Sequence, residues 1–138
     1  MVGLLLICMV FCHIIADFNL QGMLGDLKQK EWWQKNYPEE KYEMDYWMAL
    51  ALHSFEWSFC VCLPVMIFMI ANGVLDDYHM IVFVIVFNVN VILHFIIDHL
   101  KCNKRKLSLY TDQYLHYIQI GISFLVFVRT DCIFNMMK

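Results

Sequence analysis

The chain has 138 residues, enough for one ordinary domain. Hydrophobic residues make up 61% and charged residues 17%, where soluble domains carry roughly 45–50% and roughly 25%, and mean hydropathy is +0.56. These values exclude a disordered chain and a typical soluble enzyme. A net charge of −3 with only 10 basic residues also excludes nucleic acid as a partner.

Ten of the 23 charged residues lie between positions 21 and 45. Outside that stretch the chain reads as four apolar segments, about 1–20, 46–71, 80–100 and 109–129. Each is close to the ~20 residues that cross a bilayer as a helix. A helix is expected because lipid leaves every backbone group to be satisfied within the segment, and four spans cannot close a barrel. The first segment has no basic start and no small-residue cleavage site after its apolar core, so it is read as a retained helix rather than a secretory signal.

The expected fold is therefore all-α: a single domain over 1–138, built as a bundle of four transmembrane helices. In loop 21–45, the piece LGDLKQKEWWQK predicts a short interfacial helix, with Trp32 and Trp33 at headgroup depth and its lysines toward water or lipid phosphate. That loop is either an ordered connector or a lid. Lys28, Lys30, Lys35 and Lys41 in this loop, with Lys101, Lys104, Arg105 and Lys106 in the loop at 101–108, oppose only Arg129 and Lys138 on the other side. The asymmetry predicts a multi-pass protein of the plasma (inner) membrane with both basic loops in the cytoplasm and both termini outside. Four of the six cysteines (Cys8, Cys12, Cys60 and Cys62) sit inside apolar segments, and Cys102 falls on the reducing side, so no disulfide framework is expected.

Ionisable groups inside a bilayer cost several kcal/mol and are functional candidates by default. Segment one carries His13 and Asp17, segment three His94 and Asp98, and segment four Asp112 and His116. Each pair is spaced i, i+4, which puts both side chains on one helix face. Segment two carries His53, with Glu56 three residues on. Counted from the cytoplasmic ends at 1.5 Å per residue, the four histidines lie roughly 10–12 Å deep and the three aspartates roughly 5–6 Å deep. Helices of alternating direction thus place four histidines in one layer and three aspartates in a second. His13-x-x-x-Asp17 and His94-x-x-x-Asp98 look like copies, which suggests two hairpins related by a pseudo-two-fold axis along the membrane normal.

Imidazole and carboxylate are the usual ligands of zinc, manganese and iron, and facing helices of a bundle can collect them in the core. His13, Asp17, His53, His94, Asp98, Asp112 and His116 are the candidate metal ligands. Asp17, Asp98, Asp112 and Lys101 are the candidate catalytic groups, and Gln21, Glu56 and Gln113 are candidates to support them. Lys101, at the cytoplasmic mouth, suits an anionic substrate. A metal-activated water would hydrolyse a membrane-associated ester or phosphoester, with a lipid or phosphate-bearing molecule as substrate. Two other readings remain open. One is a proton or metal-ion conduit. The other is a small interaction protein whose polar core fixes packing, and four helices also suit half of a homo-oligomer. A bis-histidine haem would leave the aspartates unexplained. His79 is expected in solvent, His99 off the site face, and Asn88 and Asn90 as interhelical hydrogen-bonders.

The combined motifs resemble a family of small bacterial and phage integral membrane proteins of unassigned activity. They read His13-Ile-Ile-Ala-Asp17-Phe18-Asn19-Leu20-Gln21, a following lysine at 28 or 30, a lone His53, His94-x-x-x-Asp98-x-x-Lys101, and Asp112-Gln113-Tyr114-Leu115-His116. The resemblance covers about 10–120 and implies an integral membrane protein with a His/Asp-rich core. The pattern is more distantly similar to membrane proteins thought to be metal-dependent hydrolases.

Overall fold

The structure, a computed structural model, describes residues 2–130, and all of its regular elements there are helical. Met1, Cys132 and Lys138, invoked in the sequence reading, lie outside the described residues. Helix α1 spans Val2–Ile14 and continues as a π-helical segment over Ile15–Leu20. Two short helices follow, α2 over Leu24–Leu27 and α3 over Lys30–Asn36. The long helices α4, α5 and α6 span Asp45–Ala71, Asp77–Cys102 and Leu109–Arg129.

Three segments are long and apolar enough to cross a membrane: Gly3–Leu20, Glu40–Ala71 and Asp77–Cys102. Helix α6 has the length but falls short in apolarity. Its first half carries Asp112, Gln113, His116 and Gln119, the first three of which are candidate site residues. The neighbours run α1 to α4, α4 to α5, α5 to α6 and α6 back to α1, so the four long elements close a ring.

Each helix buries one stripe at helical spacing. On α5 the stripe is Val86, Asn90, His94 and Asp98; on α6 it includes Asp112, His116, Ile120, Ser123 and Phe127. Each stripe is ionisable at one end and mostly apolar at the other. The apolar ends meet as a core of Leu5, Met9, Trp57, Val61, Val65, Met69, Val86, Ile120 and Phe127. The opposite helix faces expose large apolar side chains such as Ile7, Phe11, Leu52, Phe55, Ile92 and Leu125, as a lipid-facing surface would.

Two local departures from regular helix position the site. The π-helical turn widens the end of α1 so that Asp17 is buried while Phe18, Asn19 and Leu20 stay exposed. Wide turns of this kind recur at functional sites. The single interfacial helix expected over LGDLKQKEWWQK is instead two helices, broken at Lys28 and Gln29, where Gln29 turns extended (φ −97°, ψ 120°). The break turns Lys28 inward, to 5% exposure, rather than toward water or lipid phosphate. Trp32 and Trp33 pack with Tyr37, and the Trp33 indole N–H donates to the Leu27 carbonyl at 2.6 Å.

Asn103, just past α5, holds this connector in place. Its Oδ1 accepts from the Lys30 backbone N–H at 2.7 Å, and its amide donates to the Lys28 carbonyl at 3.0 Å. Arg105 pairs with Glu31 beside it, so the two basic loops lie together at one end. Asn103→Ala removes both clamp bonds, each worth about 1 kcal/mol. Faster amide exchange is expected over residues 24–36, with α5 and α6 unchanged, measured by hydrogen–deuterium exchange in detergent. Unchanged exchange in the connector would show that Asn103 does not hold it.

Candidate metal centre

The seven sequence candidates converge. His13, His53, His94, His116 and Asp112 have no exposed surface, and Asp98 and Asp17 have 1% and 4%. The rings of His94 and His116 lie 4.4 Å apart, those of His53 and His94 5.1 Å, and those of His13 and His116 5.6 Å. The layer expected from helix geometry is a real cluster.

The carboxylates face it. Asp17 Oδ1 lies 3.4 Å from His53 Nε2, Asp112 Oδ1 lies 3.4 Å from His116 Nε2, and Asp98 Oδ1 lies 3.7 Å from the same nitrogen. Asp98 Oδ2 lies 3.4 Å from His53 Nε2. The second oxygen of each aspartate is held by a donor. Lys28 Nζ donates to Asp98 Oδ2 at 2.5 Å, Lys101 Nζ donates to Asp112 Oδ2, and Gln113 Nε2 donates to Asp17 Oδ2 at 2.8 Å.

Three overlapping triads bring one donor atom from each residue within 4.8 Å of the others: Asp17, His53 and His94; His94, Asp98 and His116; and Asp17, Asp112 and His116. These six residues can hold a metal ion in the buried layer. The ring nitrogens of His53, His94 and His116 make no hydrogen bond among the described residues, nor do Asp98 Oδ1 and Asp112 Oδ1. A buried polar atom without a partner costs about 1–3 kcal/mol. One nitrogen from each of these rings, together with the aspartate oxygens of the triads, matches the donor set of a divalent cation.

His13 belongs to the cluster but not to the triads. Its Nδ1 accepts from the Trp57 indole N–H at 2.8 Å, and its Nε2 donates to Gln113 Oε1 at 3.0 Å. Both ring nitrogens are therefore committed, which argues for a positioning role rather than the ligand role expected. Gln113 supports the site as expected, since it also donates to Asp112 Oδ2 at 3.0 Å. Gln21 reaches only the backbone carbonyl of Asp17, at the end of the π-helical turn. Glu56 is half-buried and makes no hydrogen bond or ion pair among the described residues, so it stands off the cluster.

Other expectations sort as follows. His99 stacks on Trp47 and Tyr46, away from the site. His79 is only partly exposed and pairs with Asp76, the N-cap of α5, rather than standing free in solvent. Asn90 does bond across helices, donating to Ser123 Oγ at 2.8 Å and accepting from Gln119 at 2.8 Å. Asn88 is exposed and bonds only within its own helix, to the Val84 carbonyl.

Two residues were missed. Trp57 stacks on His94 at 4.3 Å and forms the floor of the histidine layer. Its signal was its place one turn beyond His53 on the same face. Lys28 had a hint, as one of two lysines after the first motif, but nothing in the spacing foretold its burial.

No family model, curated protein or solved structure matches the chain.

Removing one partner of a buried pair strands a charge, at a cost of about 3–5 kcal/mol. Lys28→Met is therefore expected to destabilise strongly, and Lys28→Met with Asp98→Asn to cost less than the two singles together. Thermal unfolding of the four species in detergent measures the coupling; additive losses would mean that the pair is not formed.

Proposed function

We propose that the protein is a four-span membrane bundle that binds one or two divalent metal ions and hydrolyses a membrane-associated ester or phosphoester at its cytoplasmic end. The observation that carries the metal reading is the convergence of His53, His94 and His116, all with free ring nitrogens, on aspartate oxygens within 3.4–3.8 Å. In this reading α6 is the fourth span, and its polar half is tolerated because those side chains face the bundle interior. The hairpins α1–α4 and α5–α6 are the two halves of the pseudo-repeat, and the basic loops lie in the cytoplasm.

A divalent ion at these ligands would polarise the scissile group and lower the pKa of a water. The chain's own groups do the rest. Gln113 fixes the orientation of Asp17, and Lys101 fixes that of Asp112. Trp57 fixes the ring of His13 and closes the site toward the far side of the membrane. The site is shut in this conformation, so substrate enters by displacement of the α2–α3 connector near Lys101, whose side chain is 26% exposed.

A conduit would need a polar path to the opposite face. Beyond Trp57 the buried polar groups among the described residues are Ser58, bonded to its own helix, and Asn90, Gln119, Ser123 and Cys62, bonded among themselves. Past them lie Val65, Met69, Val86 and Phe127. This apolar plug weighs against ion passage.

Metal content by mass spectrometry on detergent-purified protein tests the reading. The parent is expected to carry at least one zinc, manganese or iron ion per chain, lost in His94→Ala and His116→Ala but retained in His13→Gln. A folded parent that takes up none of the three metals would overturn it.

A further inference from the structure

We infer that Lys28 and Lys101 form a recognition pair for a phosphomonoester dianion, on a lipid or on a soluble molecule. This rests on the metal reading above and narrows its substrate from esters in general to one anionic class.

The first argument is the burial of Lys28. Lysines beside a membrane ordinarily keep their ammonium in water, as Lys35 and Lys41 of the same loop do. The chain instead breaks a helix at Gln29 and clamps the break with Asn103, and the Lys28 ammonium reaches Asp98. Lys101 reaches Asp112 from the last turn of α5 and remains partly exposed.

The second argument is placement. Each ammonium grips an Oδ2, while Oδ1 of the same aspartate faces the histidines without a hydrogen bond. The two cations therefore stand beside the metal-ligand candidates, with Lys28 in the connector that Asn103 clamps.

The third argument is charge. Three buried carboxylates face two ammoniums, which leaves one negative charge with the histidines neutral. One divalent ion turns that into one positive charge, and a second ion adds two more. An uncompensated charge in a low-dielectric site is costly. As the ion draws on Asp98 and Asp112, the ammoniums become free for another anion. A neutral ester offers no charge. A carboxylate offers two oxygens for three cationic groups. A phosphomonoester offers three non-bridging oxygens, one each for metal, Lys28 and Lys101, and lysine is a common phosphate binder as a point charge.

The test uses full-length protein in phosphatidylcholine nanodiscs, with free Mn²⁺ followed by electron paramagnetic resonance. Inorganic phosphate is added in one arm and phosphatidic acid is included in the disc in the other, with empty discs subtracted. Binding of metal and anion at one site is reciprocal, so the apparent Mn²⁺ affinity is expected to rise roughly tenfold or more with a phosphomonoester. The gain should be lost in Lys28→Met and Lys101→Met, each read against its own Mn²⁺ affinity without phosphomonoester, and preserved in Lys101→Arg. A gain in both arms points to a soluble or a lipid source; a gain with phosphatidic acid alone assigns the lipid. Metal bound with no gain in either arm, or an equal gain in both Lys→Met variants, overturns the pair while leaving the metal site standing. A parent that binds no Mn²⁺ overturns the metal reading and this one with it. Should Lys28→Met fail to fold, Lys101→Met and Lys101→Arg decide.

Discussion

The fold is organised around three carboxylates that have been taken out of water. Asp17, Asp98 and Asp112 are each at most 4% exposed, and an isolated buried carboxylate is among the most expensive groups a protein can hold. Everything unusual in the chain answers to that cost. Lys28 and Lys101 supply two opposite charges, Gln113 supplies a neutral donor, and the histidines supply nitrogens that face the remaining oxygens. The apolar helices do not need this cluster in order to pack. The cluster needs them, because only a ring of four helices offers inward positions from four directions at one depth.

The same constraint explains the two irregular segments. The i, i+4 spacing already puts Asp17 on the face of His13, and the π-helical turn falls where that buried face ends and Phe18, Asn19 and Leu20 become exposed. The connector after it breaks where continued helix would have kept Lys28 at the surface. Both irregularities lie at the cytoplasmic end in the proposed orientation, and none of comparable size interrupts the site-bearing stretches of α5 and α6. Local regularity gives way where the charge balance of the site requires it.

Much of the site was legible because helix periodicity is rigid. The i, i+4 spacing of three His/Asp pairs and a shared depth on four segments were enough to place seven candidates in one cluster, and the observed histidine ring separations are 4.4–5.6 Å. The boundaries of α4 and α6 fell within a residue of expectation. What was not legible depended on contacts between distant parts of the chain. His13 was taken for a ligand because its spacing matched His94, but its nitrogens are used by Trp57 and Gln113, 44 and 100 residues away. Lys28 reaches Asp98 across 70 residues through a loop whose path no periodicity describes. Glu56 lies three residues deeper than His53 in the same helix, and it is half-buried with no hydrogen bond or ion pair to the cluster.

The polar and apolar halves of the bundle also set a direction. Trp57 is the boundary: one face stacks on His94, its N–H is spent on His13, and beyond it lies the core of Val61, Val65, Met69 and Phe127. A site meant to pass an ion would continue through that boundary, whereas a site meant to retain a charge needs it sealed. The seal is a large aromatic ring with no free polar atom, and the opposite side carries Lys28, Lys101, Gln113 and a connector held by Asn103. The weaker closure is the one made of charges, which another anion or cation can replace. In the proposed reading, an entering ligand meets groups that can exchange partners, and it stops at a wall that cannot.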